Sequence, residues 1–372
     1  MATHLTTSRL VAFGAGIALV YAALLPMIAY DLIFHLDPWL NAIVASEGLA
    51  VFATPFTNYT GGYVSVLAFW SLASPWLSDV AIIKAAGLTG TALCALGFWL
   101  CLKAAGIAGR ERTFGTLFFL ALPSVAMNGA ALAQADAYYT AFVLMALAAA
   151  MAGRYVLAGM AFCVALSFKL QAIFVAPFLA GILLRDLRAV ILSALALIPL
   201  YLATNGLYLV AGRPLGEVLT IYGGQSDYYR EVWRGAPNPW IFVSALIPEG
   251  THDTLYGTLV LIGLALAATA GLALLAATLR ARPQAPADMV RWAALSALAM
   301  PYLLPKMHDR YFFMAEVLLL LLALLAPRFR SAAILAQISA IFVYCYHYDT
   351  LGLAALLGGT GAVSLLGVTF MT

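Results

Sequence analysis

Pro305-Lys306-Met307-His308-Asp309-Arg310-Tyr311 interrupts a long apolar stretch in the last quarter of this chain. The segment holds three cationic or potentially cationic side chains and one carboxylate within five positions, at the mouth of an apolar span. Charge inside or beside a bilayer is costly, so a cluster of this kind indicates a functional site. Because Lys306, His308 and Arg310 can each donate hydrogen bonds to an anion, the segment predicts an anion site, with phosphate as the natural ligand.

The composition around this segment predicts a membrane protein. The 372 residues are 64% hydrophobic and 9% charged, whereas soluble domains have about 45–50% apolar and about 25% charged residues. We therefore expect an all-α polytopic membrane protein with about 10–12 transmembrane helices and with interfacial helices on its outer face. Residues 1–372 are predicted to form a single integral membrane domain. No basic stripe or polar domain is present to bind nucleic acid.

Lysine and arginine positions predict the orientation, because cytoplasmic loops are enriched in these residues. Twelve of the nineteen lie in short loops and are assigned to the cytoplasm: Arg9, Lys103, Arg110, Arg112, Arg154, Arg185, Arg188, Arg280, Arg282, Arg291, Arg328 and Arg330. The other seven then fall near the outer face, where a shared anionic ligand would explain them: Lys84, Lys169, Arg213, Arg230, Arg234, Lys306 and Arg310. Two outer segments follow, a first loop with interfacial helices (31–77) and an aromatic loop (213–240).

Three polar groups are expected near the same face. Asp31 and Asp37 follow the first apolar run, where a carboxylate can accept a proton from a hydroxyl nucleophile or can cap a helix or face water. Gln134 and Asp136 can bind sugar hydroxyls, and Asp136 can equally be a helix N-cap. Lys169 can bind an anion or can extend to the membrane interface.

Two further alternatives stay open. The aromatic residues of the 213–240 loop can anchor the protein at the interface or can stack on a sugar or isoprenoid. Arg310 can form a structural ion pair with Asp309, which would leave Lys306 and His308 unexplained.

These motifs resemble those of the bacterial branch of the GT-C glycosyltransferases, in particular proteins similar to the second mannosyltransferase of GPI-anchor assembly. The resemblance covers most of the chain in order. It rests on Asp31 with Phe34 and Trp39; Asn58-Tyr59-Thr60-Gly61-Gly62-Tyr63; Ala133-Gln134-Ala135-Asp136 through Thr140; Lys169, Gln171, Phe174 and Pro177; Ala236 to Trp240; and Pro305 to Phe312. The chain departs from the family pattern at Gly61 and Gly62, where the family usually has prolines, at Ala133 in place of Gly, and at Asp309 in place of Glu.

The resemblance implies an inverting transferase that moves one sugar, by default mannose, from a polyprenyl-phosphate-sugar to an acceptor hydroxyl. The acceptor would be a glycan, a glycolipid or a protein. The site would face the periplasm from the bacterial inner membrane, among membrane lipids. Asp31 is the implied base and Asp37 its substitute, while Lys306, His308, Arg310 and Lys169 would bind donor phosphate. The implied sugar and acceptor residues are Gln134, Asp136, Gln171, Tyr59, Asn238 and Trp240.

Two other points complete the prediction. A transporter or flippase of a lipid-linked or anionic solute is the alternative function, although no internal repeat of the kind many transporters have is evident. No cofactor or metal is required, because the cations can neutralise the phosphate. A divalent ion held by Asp31, Asp37 and Asp136 is the remaining possibility.

Overall fold

The computed structural model describes residues 6–226, 230–247 and 252–348. Within these ranges the chain is helical and contains no strand, which confirms the predicted all-α class. Two isolated backbone bridges pair His308 with Arg234 and Gly235. Residues 227–229 of the predicted aromatic loop lie outside the described residues.

The α-helices are numbered in chain order. The first ten are α1 (Thr7–Leu24), α2 (Asp37–Val44), α3 (Gly61–Ser71), α4 (Asp79–Ala104), α5 (Gly109–Leu120), α6 (Pro123–Ala126), α7 (Asp136–Met151), α8 (Tyr155–Phe168), α9 (Ala176–Leu183) and α10 (Leu187–Thr204). The later helices of the described chain are α11 (Gly206–Val210), α12 (Leu215–Leu219), α13 (Ile221–Ser226), α14 (Trp240–Leu246), α15 (His252–Ala281), α16 (Pro286–Leu303), α17 (Phe313–Leu325) and α18 (Arg330–Tyr348).

Several helices are long and apolar enough to cross a membrane. In the described residues four pass by length and composition, namely α1, α4, α10 and the segment Thr254–Ala281 of α15, and a bent pair at 109–131 makes up to five. Other apolar helices are shorter, such as α7 and α8, whereas a straight crossing takes about 20 residues. The chain is therefore a multi-pass membrane protein, and the figure of 10–12 spans stays a prediction.

The chain divides into two compact units. Unit 1 comprises the described residues within Met1–Ala121, Val125–Ala172 and Leu187–Tyr228. Unit 2 comprises those within Leu122–Ser124, Ile173–Asp186 and Tyr229–Thr372.

Close packing of α4 against α7 forms the centre of unit 1. Glycines on α4 permit this approach: a Cβ added at Gly90 would lie 2.6 Å from the Tyr138 ring, and one at Gly97 would lie 2.7 Å from the Ala141 carbonyl oxygen. Small residues at helix contacts are the usual means of close packing in membranes, where burial of apolar surface gives little drive.

Lys84 is buried within α4 and acts as a structural donor. Its Nζ donates hydrogen bonds to the carbonyl oxygens of Met27 (2.7 Å), Ala130 (2.8 Å) and Ala131 (2.5 Å). Met27 follows α1, and the other two residues end the π-helical turn Met127–Ala131. One ammonium group thus joins three parts of unit 1 and satisfies carbonyl groups that an apolar interior would leave unpaired.

The predicted first outer loop (31–77) is largely helical. It forms a π-helical turn (Leu32–Leu36), α2, a 3₁₀ turn (Ala50–Ala53) and α3. Leu40, Tyr63 and Leu67 from this segment are fully buried in the core of unit 1. The segment is therefore part of the packed interior of this unit and carries residues of the candidate site on short, supported helices.

In unit 2, α17 is the buried central helix. Its residues from Phe313 to Ala323 are all buried, as expected for a helix that is apolar on every side apart from Glu316. Helices α16 and α18 pack against it, and α15 packs against α9 and α16. The segment 305–312 enters α17 directly, so the cationic motif is attached to the most buried helix of this unit.

We expect Lys84→Met to destabilise unit 1, because three carbonyl groups lose a charged donor. Hydrogen bonds to charged groups contribute about 1.5–3 kcal/mol each, so the thermal midpoint of the solubilised protein should fall by at least about 5 °C. Lys103→Met is the matched control, since Lys103 is exposed near the end of the same helix. Equal midpoints for the two variants would contradict this role of Lys84.

Candidate active site

Asp31 and Gln134 are joined in unit 1. Asp31 immediately precedes the π-helical turn Leu32–Leu36 and is half-buried. Gln134 Nε2 donates to Asp31 Oδ2 at 3.2 Å and to the Leu132 carbonyl at 3.3 Å. The side-chain amide of Gln134 therefore helps to position the Asp31 carboxylate.

An unusual backbone conformation positions Gln134. The preceding residue, Ala133, has φ +53°, in the left-handed region that costs a residue with a Cβ about 1–2 kcal/mol. The backbone N–H of Gln134 then donates to the backbone carbonyl of Asn128 at 2.9 Å. Gly87 of α4 lies so close that a Cβ there would be 2.6 Å from Ala133 Cα. The turn is thus packed tightly against α4, which holds Ala133 in its strained conformation. Strained backbone conformations that the surrounding structure maintains are often found at functional sites.

Asp136 lies in a buried ion pair with Lys169. Asp136 is 0% exposed; its Oδ1 lies 2.5 Å from Lys169 Nζ, and its Oδ2 accepts a hydrogen bond from Asn128 Nδ2 at 3.2 Å. The predicted alternative of an N-cap is wrong, because Asp136 is the first residue of α7 and the cap, Ala135, offers no side-chain bond. Both oxygens of this carboxylate bind protein groups.

Aromatic rings surround Lys169. Its Nζ lies 5.7 Å from the Tyr59 ring centroid and 6.0 Å from that of Tyr139, distances at which a ring face attracts a cation.

Tyr208 holds the backbone of Tyr59. The Tyr208 hydroxyl donates to the Tyr59 carbonyl at 2.9 Å. Burial raises the pKa of Tyr208, although nearby Arg213 opposes the shift, so the phenol stays protonated as a donor. Gln171 follows Lys169 in the 3₁₀ turn Leu170–Val175.

Asp37 has a different setting from Asp31. It is the first residue of α2, and its Oδ2 accepts a hydrogen bond from Asn41 Nδ2, one turn later on that helix, at 3.1 Å. This bond is local and exposed. Of the two predicted bases, Asp31 is the one tied to the buried polar residues of unit 1.

The glycines that replace the family's prolines have a structural reason. The Gly61 amide donates to Asn205 Oδ1 at 2.7 Å, a bond that proline cannot make. A Cβ at Gly61 would also lie 2.8 Å from Asn205 Cα, and one at Gly62 would lie 3.1 Å from the Phe168 ring. Here α3 begins against Asn205 and Phe168 because its first two residues have no side chain.

In unit 2, the backbone of the cationic motif is tied to the aromatic loop. Lys306 has φ +63°, and its amide donates to the Val232 carbonyl at 2.8 Å. His308 pairs with Arg234 and Gly235 through the two backbone bridges. The predicted segments 213–240 and 305–310 therefore meet over residues 232–235, which holds the motif in one conformation.

The side chains of the motif have neighbours within unit 2. Lys306 Nζ lies 5.2 Å from the Tyr256 ring centroid, and the His308 ring lies 5.2 Å from that of Tyr311. Arg310 Nη1 lies 3.7 Å from Oδ1 of Asp309, which is 3% exposed. That separation exceeds the 2.7–3.2 Å usual for a direct hydrogen bond, so the pair is an ionic contact of the kind that the sequence left open.

Asn238 and Trp240 support the end of α16. Asn238 Nδ2 donates to the carbonyl oxygens of Pro301 (3.0 Å) and Leu304 (3.1 Å), and Trp240 Nε1 donates to that of Leu303 (2.8 Å). The last carbonyl groups of a helix have no partner within the helix. These two side chains supply the missing donors, and sugar binding by either one stays a prediction.

Four of the seven cations predicted for the outer face contact protein groups, so a shared ligand is not needed to explain each of them. Lys84 donates to three carbonyl groups, Lys169 pairs with Asp136, and Arg213 Nε lies 3.3 Å from Glu217 Oε2. Arg234 Nη1 lies 2.7 Å from Glu231 Oε2. These four cations therefore have protein partners. The sequence did not reveal the partners, because positions along a sequence indicate membrane depth and do not identify the group that a side chain contacts.

Asn128, Asp136 and Tyr139 lie around Lys169 and form a polar centre. Two of its residues were not among the predicted site residues. Asn128 binds Asp136, and Tyr139 lies beside Lys169. In the sequence, Asn128-Gly129 comes shortly before the Gln-x-Asp motif, and this proximity could have indicated Asn128 as a site residue. In the described part of the chain no group of three or more His, Cys, Asp or Glu side chains is arranged to hold a metal ion.

Comparison with solved structures identifies the fold. No protein-family model and no curated protein matches the sequence. The crystal structure of ArnT from Cupriavidus metallidurans bound to undecaprenyl phosphate matches with a TM-score of 0.57 and 15% identity. The match covers 99% of this chain and 76% of the ArnT chain. The chain therefore has the predicted GT-C type of fold.

We expect the Lys169–Asp136 pair to show strong coupling in a double-mutant cycle. Lys169→Met or Asp136→Asn alone leaves one member of a buried pair uncompensated, at a cost of about 3–5 kcal/mol. The double variant removes both charges and should regain part of the thermal midpoint.

The exposed pair Arg291–Asp288 is the matched control, with nitrogen and oxygen 3.2 Å apart. Its cycle, made from the corresponding Met and Asn changes, should give a coupling of about 0–1 kcal/mol. Additive losses for Lys169 and Asp136, equal to those of this control, would refute the coupling.

Proposed function

We propose that this protein is an inverting glycosyltransferase that uses a polyprenyl-phosphate-sugar donor, with mannose as the sugar. The observation that carries the proposal is the Asp31 carboxylate held by Gln134 within a GT-C fold. The bound undecaprenyl phosphate of the similar ArnT structure supports a lipid phosphate as the donor's carrier. The ordered motifs of the chain support the same class. We assign the reaction to the extracytoplasmic face of the bacterial inner membrane.

The chemistry proposed for Asp31 is general-base catalysis. The acceptor oxygen forms a bond to the anomeric carbon while the bond from that carbon to the phosphate oxygen breaks. The acceptor proton passes to the Asp31 carboxylate, and the bonding electron pair leaves with the lipid phosphate. A base of this kind typically contributes 10²–10⁴-fold. Gln134 serves as a positioning residue, because its amide fixes the carboxylate.

Negative charge grows on the departing phosphate, and fixed cations stabilise that charge more in the transition state than in the ground state. We assign this task to Lys306, His308 and Arg310. The strained backbone at Lys306 and its hydrogen bond to Val232 favour the assignment, since they hold the motif in place before a ligand arrives.

Lys169 receives a different task from the one implied by the resemblance. Its bond to the fully buried Asp136 favours a positioning role over direct contact with phosphate. Asp136 and Asn128 share that role. Gln171 and Tyr59 remain the proposed sugar contacts of this part of the chain, with Tyr59 beside the Lys169 ammonium group.

Asp31→Asn should abolish sugar transfer while the protein stays folded. We expect a loss of turnover of about 10²–10⁴-fold, measured in lipid nanodiscs with labelled polyprenyl-phosphate-mannose and candidate acceptors. Asp37→Asn is the control and should stay within about threefold of wild type, because Asp37 makes a local helix contact. Wild-type turnover by Asp31→Asn would disprove the base assignment. Flipping of the lipid without any transfer would favour the transporter.

Arg310→Ala and His308→Ala should weaken donor binding. Loss of one charge-assisted hydrogen bond, about 1.5–3 kcal/mol, corresponds to an affinity about tenfold lower or weaker still. Binding of undecaprenyl phosphate is measured directly, without turnover. Arg328→Ala is the control, because Arg328 is exposed and lies over the Phe329 ring. Unchanged affinity in both test variants would remove the motif from the phosphate site.

A further inference from the structure

Unit 1 contains a cavity that the predicted site residues do not line. Its volume is about 520 Å³, within the ~300–1,000 Å³ typical of small-molecule sites. Three segments form its walls: the turn and helix after Asp31, with His35 and Trp39; the segment 55–58, which ends at Asn58; and residues 213–225, which include Arg213 and Glu217. The cavity therefore lies against the same short elements that carry the candidate base.

Arg213 brings a buried donor to the cavity wall. The residue is 7% exposed, its Nε donates to Glu217 Oε2 at 3.3 Å, and its guanidinium lies 4.9 Å from the Tyr208 ring centroid. Nη1 is buried and has no hydrogen-bond partner in the described part of the chain. A buried, unpaired donor is costly, and a small rotation of the Arg213 side chain into the cavity would let a ligand supply its acceptor.

Asn58 brings the complementary acceptor. Its Oδ1 is also buried without a partner among the described residues, whereas its backbone carbonyl accepts a hydrogen bond from Gln225 Nε2 at 2.6 Å. The side chain is therefore presented by a backbone that is already anchored. One unmet donor and one unmet acceptor, on two walls of the cavity, call for a ligand whose groups can both accept and donate.

The remaining lining decides between ligand classes. An alkyl chain would leave the polar atoms of Arg213 and Asn58 unpaired. An anion would meet the Glu217 carboxylate, whose side chain is 48% exposed. A neutral sugar satisfies all the groups: its hydroxyls donate and accept, and its apolar ring face can pack on the aromatic surface that Trp39 offers. Trp39 and His35 have ring centroids 6.1 Å apart.

We propose that this cavity is the acceptor subsite and that it binds an uncharged sugar residue, so the acceptor is a glycan or glycolipid and not a polypeptide hydroxyl. The inference rests on the proposed transferase activity. Trp39 packs against Tyr59 with ring centroids 4.9 Å apart, and Tyr59 lies beside Lys169. A sugar in the cavity would thus be separated from Lys169 of the polar centre by the rings of Trp39 and Tyr59.

The test measures saccharide binding directly, by saturation-transfer NMR on protein in nanodiscs. Maltoside detergents are excluded, because they carry a neutral disaccharide themselves. The probes are methyl α-mannopyranoside and methyl α-glucopyranoside, with mannose 6-phosphate and glucuronate as charged counterparts. We expect the neutral glycosides to bind and the charged ones to bind more weakly. Tighter binding of the charged probes, or no binding of the neutral ones, would overturn the assignment.

Two variants locate the binding. Asn58→Ala removes an oxygen that has no hydrogen-bond partner among the described residues, so folding should be preserved, and Arg213→Lys keeps the charge opposite Glu217. Each should weaken neutral glycoside binding by about tenfold, the equivalent of one hydrogen bond of about 1.4 kcal/mol. Thr54→Ala is the control, because its exposed hydroxyl bonds locally to the Val51 carbonyl. Wild-type binding in both test variants would refute the subsite.

A second readout separates this inference from the proposed function. Hydrolysis of the labelled donor by water requires the donor site and no acceptor. With a glycan acceptor, Asn58→Ala should raise the acceptor KM and leave donor hydrolysis unchanged. If wild type hydrolyses and transfers the donor but the variants bind saccharide normally, the subsite is wrong and the function stands. If saccharide binding depends on Asn58 but the donor is never turned over, the proposed function fails instead.

Discussion

The Lys84 ammonium group is the interaction on which the geometry of unit 1 depends. It binds three carbonyl groups beside α4, one after α1 and two in the turn Met127–Ala131. That turn leads through Ala133 to Gln134, whose amide holds Asp31. The position of the candidate base is therefore set by a chain of short contacts that begins at a buried charge. An apolar side chain of similar length at position 84, such as that of methionine, could pack there but could not donate hydrogen bonds to these carbonyl groups.

The polar centre beside this chain of contacts is held by mutual compensation. Asp136 and Lys169 are buried together, and a buried charge is tolerated when it is paired and hydrogen-bonded. Asn128 supplies the second bond to the carboxylate. Such an arrangement adds little net stability, but it allows few alternative positions for the residues around it. Because the Asp136 carboxylate already binds Lys169 and Asn128, it needs little rearrangement before chemistry, which is the property expected of preorganised sites.

How much the sequence predicted depended on the range of the interaction. The helical membrane fold followed from composition and motif order. Local motifs suggested Asp31 and Gln134, whose side chains are in contact and whose roles stay predictions. Asp136 and Lys169 are 33 positions apart, and their pairing depends on how helices pack, which a single sequence does not reveal. The roles of Asn238 and Trp240 were hidden for another reason: an amide or indole that supports a helix end has the same sequence pattern as one that binds a sugar.

The bond between the Gly61 amide and Asn205 has a consequence for how related chains can differ. The two residues are 144 positions apart, and each is suited to the other: the amide needs an acceptor, and the close backbone approach excludes a Cβ. A chain with proline at position 61 would leave the Asn205 oxygen without its donor and would push the backbones apart. We therefore expect the two positions to covary, with asparagine at 205 accompanying glycine and a different residue accompanying proline.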